Sequence, residues 1–212
     1  MEVFGEAWKN HAERLAVAWR ESVAEEDTVI VAGDISWAMK PEDAAPDLDF
    51  LHELPGKKLL IRGNHDLWWQ KITQLNKMYD DMRFLQNDNV FFDEGLAICG
   101  SRGWGLPGLE DYGQDDEKIL ARELIRLEMS LDKSIMDGAT DIICVLHFPP
   151  ALTPVNTSPF TELIEKYPVS QVVYGHLHGS QAFGKGILGI HGGIQYKLVS
   201  GDYLYFRPLL IL

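Results

Sequence analysis

The sequence is poor in cysteine, in basic residues and in long apolar runs, and each shortage removes a class of protein. Only two cysteines occur in 212 residues. Cys99 lies in "LAICG" and Cys144 in "DIICVLH", both apolar and strand-like, so they read as reduced core thiols of a cytoplasmic protein, and two alone cannot make a structural zinc site. Lysine and arginine number 19 against 32 acids, a formal charge of −13. An extended nucleic-acid surface is not expected from that balance, because nothing would neutralise phosphates along a groove. Small anionic substrates stay open, since a local metal ion or arginine can dominate the field at one site. No run approaches the ~20 apolar residues of a membrane span. The opening stretch "MEVFGEAWKNHAERLAVAWRES" is charged throughout and has no apolar segment of signal-peptide length. Neither a P-loop nor a nucleophile elbow is found.

What is present is one pattern of short strands and helices. Residues 1–212 show no repeat, low-complexity segment or linker, so a single domain is the simplest division, long enough to bury roughly 70% of the surface its unfolded form exposes. Trp8, Ala12, Leu15, Ala16, Trp19 and Val23 recur at helical steps and predict an opening amphipathic helix. "TVIVAGD" at 28–34 predicts a strand, 42–54 a helix and "KKLLIRG" a strand, with a further helix expected from Asp66. "RFLQ", "VFF" and "LAICG" read as successive strands. Leu120, Leu124, Leu127, Leu131 and Ile135 give a long helix a buried stripe, and acidic 115–117 suits its positive N-terminus. "TDIICVLHF", a Pro-rich loop at 149–159, a short helix near 160–166 and "SQVVYGHLHG" follow. The tail from Gly186 to Leu212 reads as several strands. Alternating strands and helices with a clustered β tail predict layered α/β architecture.

Four of the apolar runs end in polar residues of one chemical kind. "VIVAGD" ends in Asp34, "LLIRGNHD" in Asn64, His65 and Asp66, "IICVLH" in His147, and "VVYGHLH" in His176 and His178. If these strands are parallel, their carboxyl ends lie together, where open α/β sheets keep their ligands. Four of the seven histidines stand at these ends; His11, His52 and His191 lie in helical or tail contexts and read as ordinary. Imidazole, carboxylate and amide oxygen without thiolate suit manganese, iron or zinc. A carboxylate between two such ions can bridge them ~3.5–4 Å apart for an in-line phosphoryl displacement. Taken singly, each residue is more simply a turn or a satisfied polar group; Asp66, for instance, could equally cap a helix.

Gly33-Asp34, Gly63-Asn64-His65-Asp66, His147 and Gly175-His176-Leu177-His178 together resemble, in chain order, the signature of the calcineurin-like metallophosphoesterases. That resemblance implies a four-layer αββα sandwich and a binuclear centre hydrolysing phosphomonoesters or phosphodiesters with a metal-activated water. It implies that Asp34 bridges two ions, that Asn64, His147 and His176 complete one site, and that His178 belongs to the other. His65 would protonate the leaving oxygen or steady the phosphoryl group, with Asp66 orienting and charging it. Arg62 precedes the glycine as in the Arg-Gly-Asn-His pattern of the family's serine/threonine phosphatases, where the arginine meets phosphate. Arg102 and Trp104 in "CGSRGWG" follow another strand end and would line the same cleft. Trp37, Trp68 and Trp69 flank two motifs and read as core packing or an aromatic rim. Where purple acid phosphatases place an iron-binding tyrosine this chain has Trp37, so no iron tyrosinate chromophore is expected.

One part of the pattern is missing. Family members begin with a strand ending in Asp-x-His, and no Asp-x-His occurs in this sequence. The expectation is a fold of this type lacking its first strand, with the true start upstream of "MEVFGEAWKN". A small phosphorylated substrate is the expected partner, and no membrane. The competing reading is a non-catalytic binding or scaffold protein on the same fold, its surface formed by the loops at 101–113 and 149–159.

Overall fold

The computed structural model describes residues 5–107 and 112–212. Residues 108–111 of the loop expected at 101–113 lie outside the described residues. After a 3-10 turn at Glu6–Trp8 come helix α1 (His11–Ser22), strand β1 (Thr28–Val31), α2 (Pro41–His52), β2 (Lys57–Leu60) and α3 (Ile72–Leu75). Then follow β3 (Met82–Phe84), β4 (Asn89–Asp93), β5 (Leu96–Ser101), α4 (Gln114–Met136) and β6 (Asp141–Leu146). The chain continues with α5 (Pro159–Ile164), β7 (Val169–Tyr174), α6 (Ser180–Phe183), β8 (Gly189–His191) and β9 (Ile194–Leu198).

The strands form two sheets. One has the order β1-β2-β3 and is parallel throughout; the other runs β4-β5-β6-β7-β9-β8, with a parallel centre and antiparallel pairs at both ends. Side-chain alternation shows how they stack. Leu59 and Ile61 share a buried cluster with Ile98, Ile143, Val145 and Val173, which fills the space between the sheets. Leu60 points the other way, into a cluster with Ala16, Trp19, Leu48 and Leu51 of α1 and α2. On the far side Ala97, Cys99, Ile142, Cys144, Val172 and Tyr174 meet Leu127 and Leu131 of α4 and Phe160 of α5. The result is the expected αββα sandwich. Central strands here are covered on both faces, which is why the sequence shows continuous apolar runs rather than alternation. Each fully buried Leu, Ile or Val contributes roughly 1.5–3 kcal/mol of transfer free energy. Among the described residues, no strand pairs with the outer edge of β1.

Several expected elements differ in detail. The opening helix begins at His11, because Asn10 adopts a left-handed conformation (φ 50°) that breaks the periodicity after Trp8, a conformation asparagine tolerates better than most residues. No helix starts at Asp66; residues 66–69 form turns, and only the single turn of α3 follows. The buried stripe of α4 runs through Leu120, Glu123, Leu127, Ser130, Leu131 and Ser134, while Ile135 is exposed. The serines permit close approach to β5: Ser130 Oγ donates to the Gly100 carbonyl at 3.0 Å. The tail carries two strands and then turns at 201–206, where Tyr205 and Phe206 are left-handed. No helix among the described residues is long and apolar enough to cross a membrane.

Candidate metal centre

The carboxyl ends of β1 and β2 in one sheet face those of β6 and β7 in the other, and the strand-end residues meet across the gap. Asp34 and Asn64 come from the first sheet, His147 and His176 from the second. A backbone tie joins the two: His147 Nδ1 lies 2.8 Å from the Ala32 carbonyl. Because that carbonyl only accepts, Nδ1 carries the proton and Nε2 presents a lone pair.

That lone pair looks at other lone pairs. His147 Nε2 is 2.8 Å from Asn64 Oδ1, 3.2 Å from His176 Nδ1 and 3.4 Å from Asp34 Oδ2, and His176 Nδ1 is 3.1 Å from Asn64 Oδ1. The ligand atoms of Asp34, His147 and His176 all lie within 4.8 Å of one another. Donor atoms sharing one ion through bonds of ~2.1 Å would stand about 3–3.4 Å apart, so the spacing fits a single divalent cation. Two imidazoles, a carboxylate and an amide oxygen make a set suited to manganese, iron or zinc.

Electrostatics keeps these groups in ligating form. Burial alone would raise the Asp34 carboxyl, but its polar neighbours, among them the His65 N–H that donates to Oδ1 at 2.9 Å, outweigh it and hold the acid below its ordinary value. His176 is pushed down to about 3, with burial as the largest cause, so its imidazole is neutral at neutral pH. Phe148 lies against it with ring centroids 4.0 Å apart.

Backbone conformation does the positioning. Asp34 (φ 55°) and His176 (φ 68°) are both left-handed, an arrangement that costs of order a kcal/mol each and clusters at functional sites. The glycines are sterically required. A Cβ on Gly63 would sit 2.1 Å from Asp34 Oδ1, and one on Gly33 would sit 2.7 Å from both Gly63 N and His147 Nδ1.

Asp66 is fully buried and receives five hydrogen bonds: from the backbone N–H groups of Asp34, Ile35, Ser36 and Gly63, and from Trp68 Nε1 at 3.1 Å. It locks the loop that carries Asp34 to the loop that carries Asn64. Burial raises its carboxyl above the ordinary value, against the pull of the Ser36 and Gly63 N–H groups. His65 is exposed, its ring centroid 4.8 Å from that of Trp37. Trp68 and Trp69 are buried in the core with Phe84; Trp37 is the tryptophan at the rim.

His178 stands apart from this cluster. Its Nδ1 is 2.8 Å from Asp202 Oδ1, and the Trp8 ring meets it edge-on at 5.1 Å. Asp202 also accepts from the Gly179 and Tyr203 N–H groups. Arg62 donates from Nε to the Asp66 carbonyl at 3.2 Å, and Arg102 donates to Glu123 Oε1 at 3.0 Å. Glu123 was not among the residues that sequence reasoning singled out, though a signal existed: it falls on the apolar stripe of α4 between Leu120 and Leu127. A second group, exposed His52 and Asp80 with half-buried Asp81, already has the Lys58 ammonium 2.6 Å from Asp81.

A model of the calcineurin-like phosphoesterase family matches residues 7–180, and the chain belongs to that family. Among solved structures, it is similar to phosphopantetheinyl hydrolase (PptH) from Mycobacterium tuberculosis, at 17% identity over 93% of both chains with a TM-score of 0.49. It is also similar to TT1561 of Thermus thermophilus, at 16% identity over 81% of this chain and 78% of that one, TM-score 0.49. Comparison by sequence with curated proteins gave no match.

Proposed function

We propose that the chain is a metal-dependent phosphoric ester hydrolase in which Asp34, Asn64, His147 and His176 hold a divalent ion. The observation that carries this reading is the meeting of four Lewis-base atoms from two facing sheets, with the His147 tautomer set so that its lone pair joins them. A bound divalent ion supplies an acidified water as nucleophile and positive charge against the phosphoryl oxygens. The protein's own groups supply the rest. Asp66 holds the Asp34 and Asn64 loops at fixed spacing. His65, exposed beside this cluster with Trp37 against its ring, is the group we assign to protonating the leaving oxygen or steadying the phosphoryl group. Arg62 and Arg102, at neighbouring strand ends, supply fixed positive charge for the anionic substrate. Manganese is the first ion to try.

The test is hydrolysis of p-nitrophenyl phosphate and bis(p-nitrophenyl) phosphate with manganese, against a chelator control. Turnover that requires metal and falls in His147→Ala supports the reading. Stoichiometric manganese without turnover of either ester favours the binding-protein reading instead, which the pairing of His178 with Asp202 makes worth testing.

A further inference from the structure

Beside the metal donors lies a gathering of positive charge that one hydrolytic centre does not use up. We propose that Arg62, Arg102, Arg122 and Arg126 form a binding site for a second oxyanion, so that the substrate is a phosphate ester bearing a further phosphate-like group on its non-reacting part. The substrate half of this proposal rests on the phosphoesterase reading; the anion site rests on the ion pairs and hydrogen bonds gathered around Glu123.

The organising residue is Glu123, 1% exposed on the buried stripe of α4. Its Oε1 accepts from Arg102 Nη2 at 3.0 Å and Arg126 Nη1 at 2.9 Å, and Arg122 Nε lies 3.9 Å away. Arg62 feels the charge of Asp66 first and then those of Arg126, Glu123 and Arg122, and Arg102 feels those of Glu123, Arg62 and Arg122. Four guanidiniums against the carboxylates of Glu123 and Asp66 leave a local surplus of two positive charges in a chain of net −13. A carboxylate buried for stability alone is compensated by one or two cations, and further ones add repulsion unless another anion joins them.

The donors are also in excess. A guanidinium carries five N–H groups in a planar fork, whereas Arg62, Arg102 and Arg126 each have one nitrogen bonded within the protein among the described residues. Arg102 Nε is buried and has no acceptor there. Buried donors of that kind are rare, and a bound ion is one thing that accounts for them. Besides its bond to Glu123, Arg102 is held by an anchored ring. Its guanidinium carbon lies 4.3 Å from the Trp104 ring centroid, and Trp104 Nε1 is anchored on Asp116 at 2.8 Å. Burial pushes the Arg62 and Arg102 guanidiniums below their ordinary values, against the pull of Asp66 and Glu123 and with a smaller push from cationic neighbours. Planar bidentate recognition of phosphate is what arginine does best.

The site also has the right address. Arg62 stands two residues before Asn64, and the Arg102 carbonyl accepts from the His147 and Phe148 N–H groups, both at 3.0 Å. The arginines therefore flank the metal donors from both sheets.

The experiment is calorimetric titration of inorganic phosphate into chelator-treated protein. Without metal, the Asp34 carboxylate and its acceptor neighbours repel phosphate, so binding reports the arginines. We expect saturable binding of one phosphate per chain, weakened at least tenfold by Arg126→Gln and several-fold by Arg122→Gln. Arg122 is more than half exposed, so its loss leaves packing intact. Absence of saturable millimolar binding, or binding that both variants leave unchanged, overturns the proposal. Manganese-dependent turnover of p-nitrophenyl phosphate is read separately: turnover without phosphate binding removes the anion site alone, and phosphate binding without turnover removes only its extension to a substrate.

Discussion

His176 and His178 belong to one four-residue motif and end in opposite surroundings. His176 Nδ1 lies among the oxygen and nitrogen donors of Asn64 and His147, under the Phe148 ring. His178 Nδ1 lies on Asp202, with Trp8 at its edge. Both are imidazoles at the end of one strand, so residue type does not separate them. The left-handed turn at His176 does, because it sends successive side chains in different directions, and so do the partners each direction meets. The donor cluster around His176 is assembled by two sheets; the other histidine is engaged by the turn after β9 and by the N-terminal segment. A motif lists potential ligands, and the neighbours decide which are gathered.

The comparison breaks most sharply at the assembled cluster. His147→Ala or Asn64→Ala should weaken manganese binding by about 1,000-fold, well beyond the 10–100-fold typical of losing a partner outside the ligand set. Competition titration against a chelating dye measures it, and unchanged affinity would remove the assignment. Asp66→Asn should cost about 2–4 kcal/mol in denaturant unfolding, since an amide can accept only part of the five hydrogen bonds and places its own N–H against donors. A normal midpoint would mean that the loops hold themselves.

His65→Ala should keep its metal and lower kcat by ~100-fold, the usual worth of a positioned acid; surviving kcat would make His65 structural. In the metal-free protein, His176 has a folded pKa of about 3, depressed from its ordinary 6.5. Its neutral form is the folded form, so the unfolded chain takes up the proton first as pH falls. Stability should therefore decline from about pH 6.5 towards pH 3, by up to ~1.4 kcal/mol per unit. His176→Gln should flatten that slope in unfolding curves measured with chelator; an unchanged slope would locate the proton elsewhere. The smallest effect tests His178. His178→Ala should change affinity for the first manganese ion less than threefold, whereas His176→Ala should match His147→Ala. Equal losses would show that the two histidines serve one ion.

Much of this architecture was legible because burial leaves a signature in composition. Strands covered on both faces must be apolar on both sides, so "IICVL" and "LLI" announce themselves, and the polar residues ending them stand out by contrast. The break at Asn10 was not legible from the periodicity, which runs on through Trp8; in the fold Trp8 instead packs against Phe206 and His178, almost the whole chain away. The expected helix at Asp66 failed for a similar reason. An N-cap and a buried carboxylate holding two loops are the same residue type at the same strand end, and only the positions of Asp34, Ile35 and Ser36 distinguish them.

The sequence by itself determined the strand set, the α/β layering and the identity of the residues at the strand ends, because hydrophobic periodicity and residue chemistry are local properties. Only the tertiary structure decided that Asp34, Asn64, His147 and His176 share one point, that Asp66 serves as a clamp, that His178 turns to Asp202, and that Glu123 collects arginines. Those outcomes depend on left-handed turns, on glycines without a Cβ at close approaches and on the facing of two separate sheets. Each is a distance between residues far apart in the chain, and such distances are set by how the layers pack.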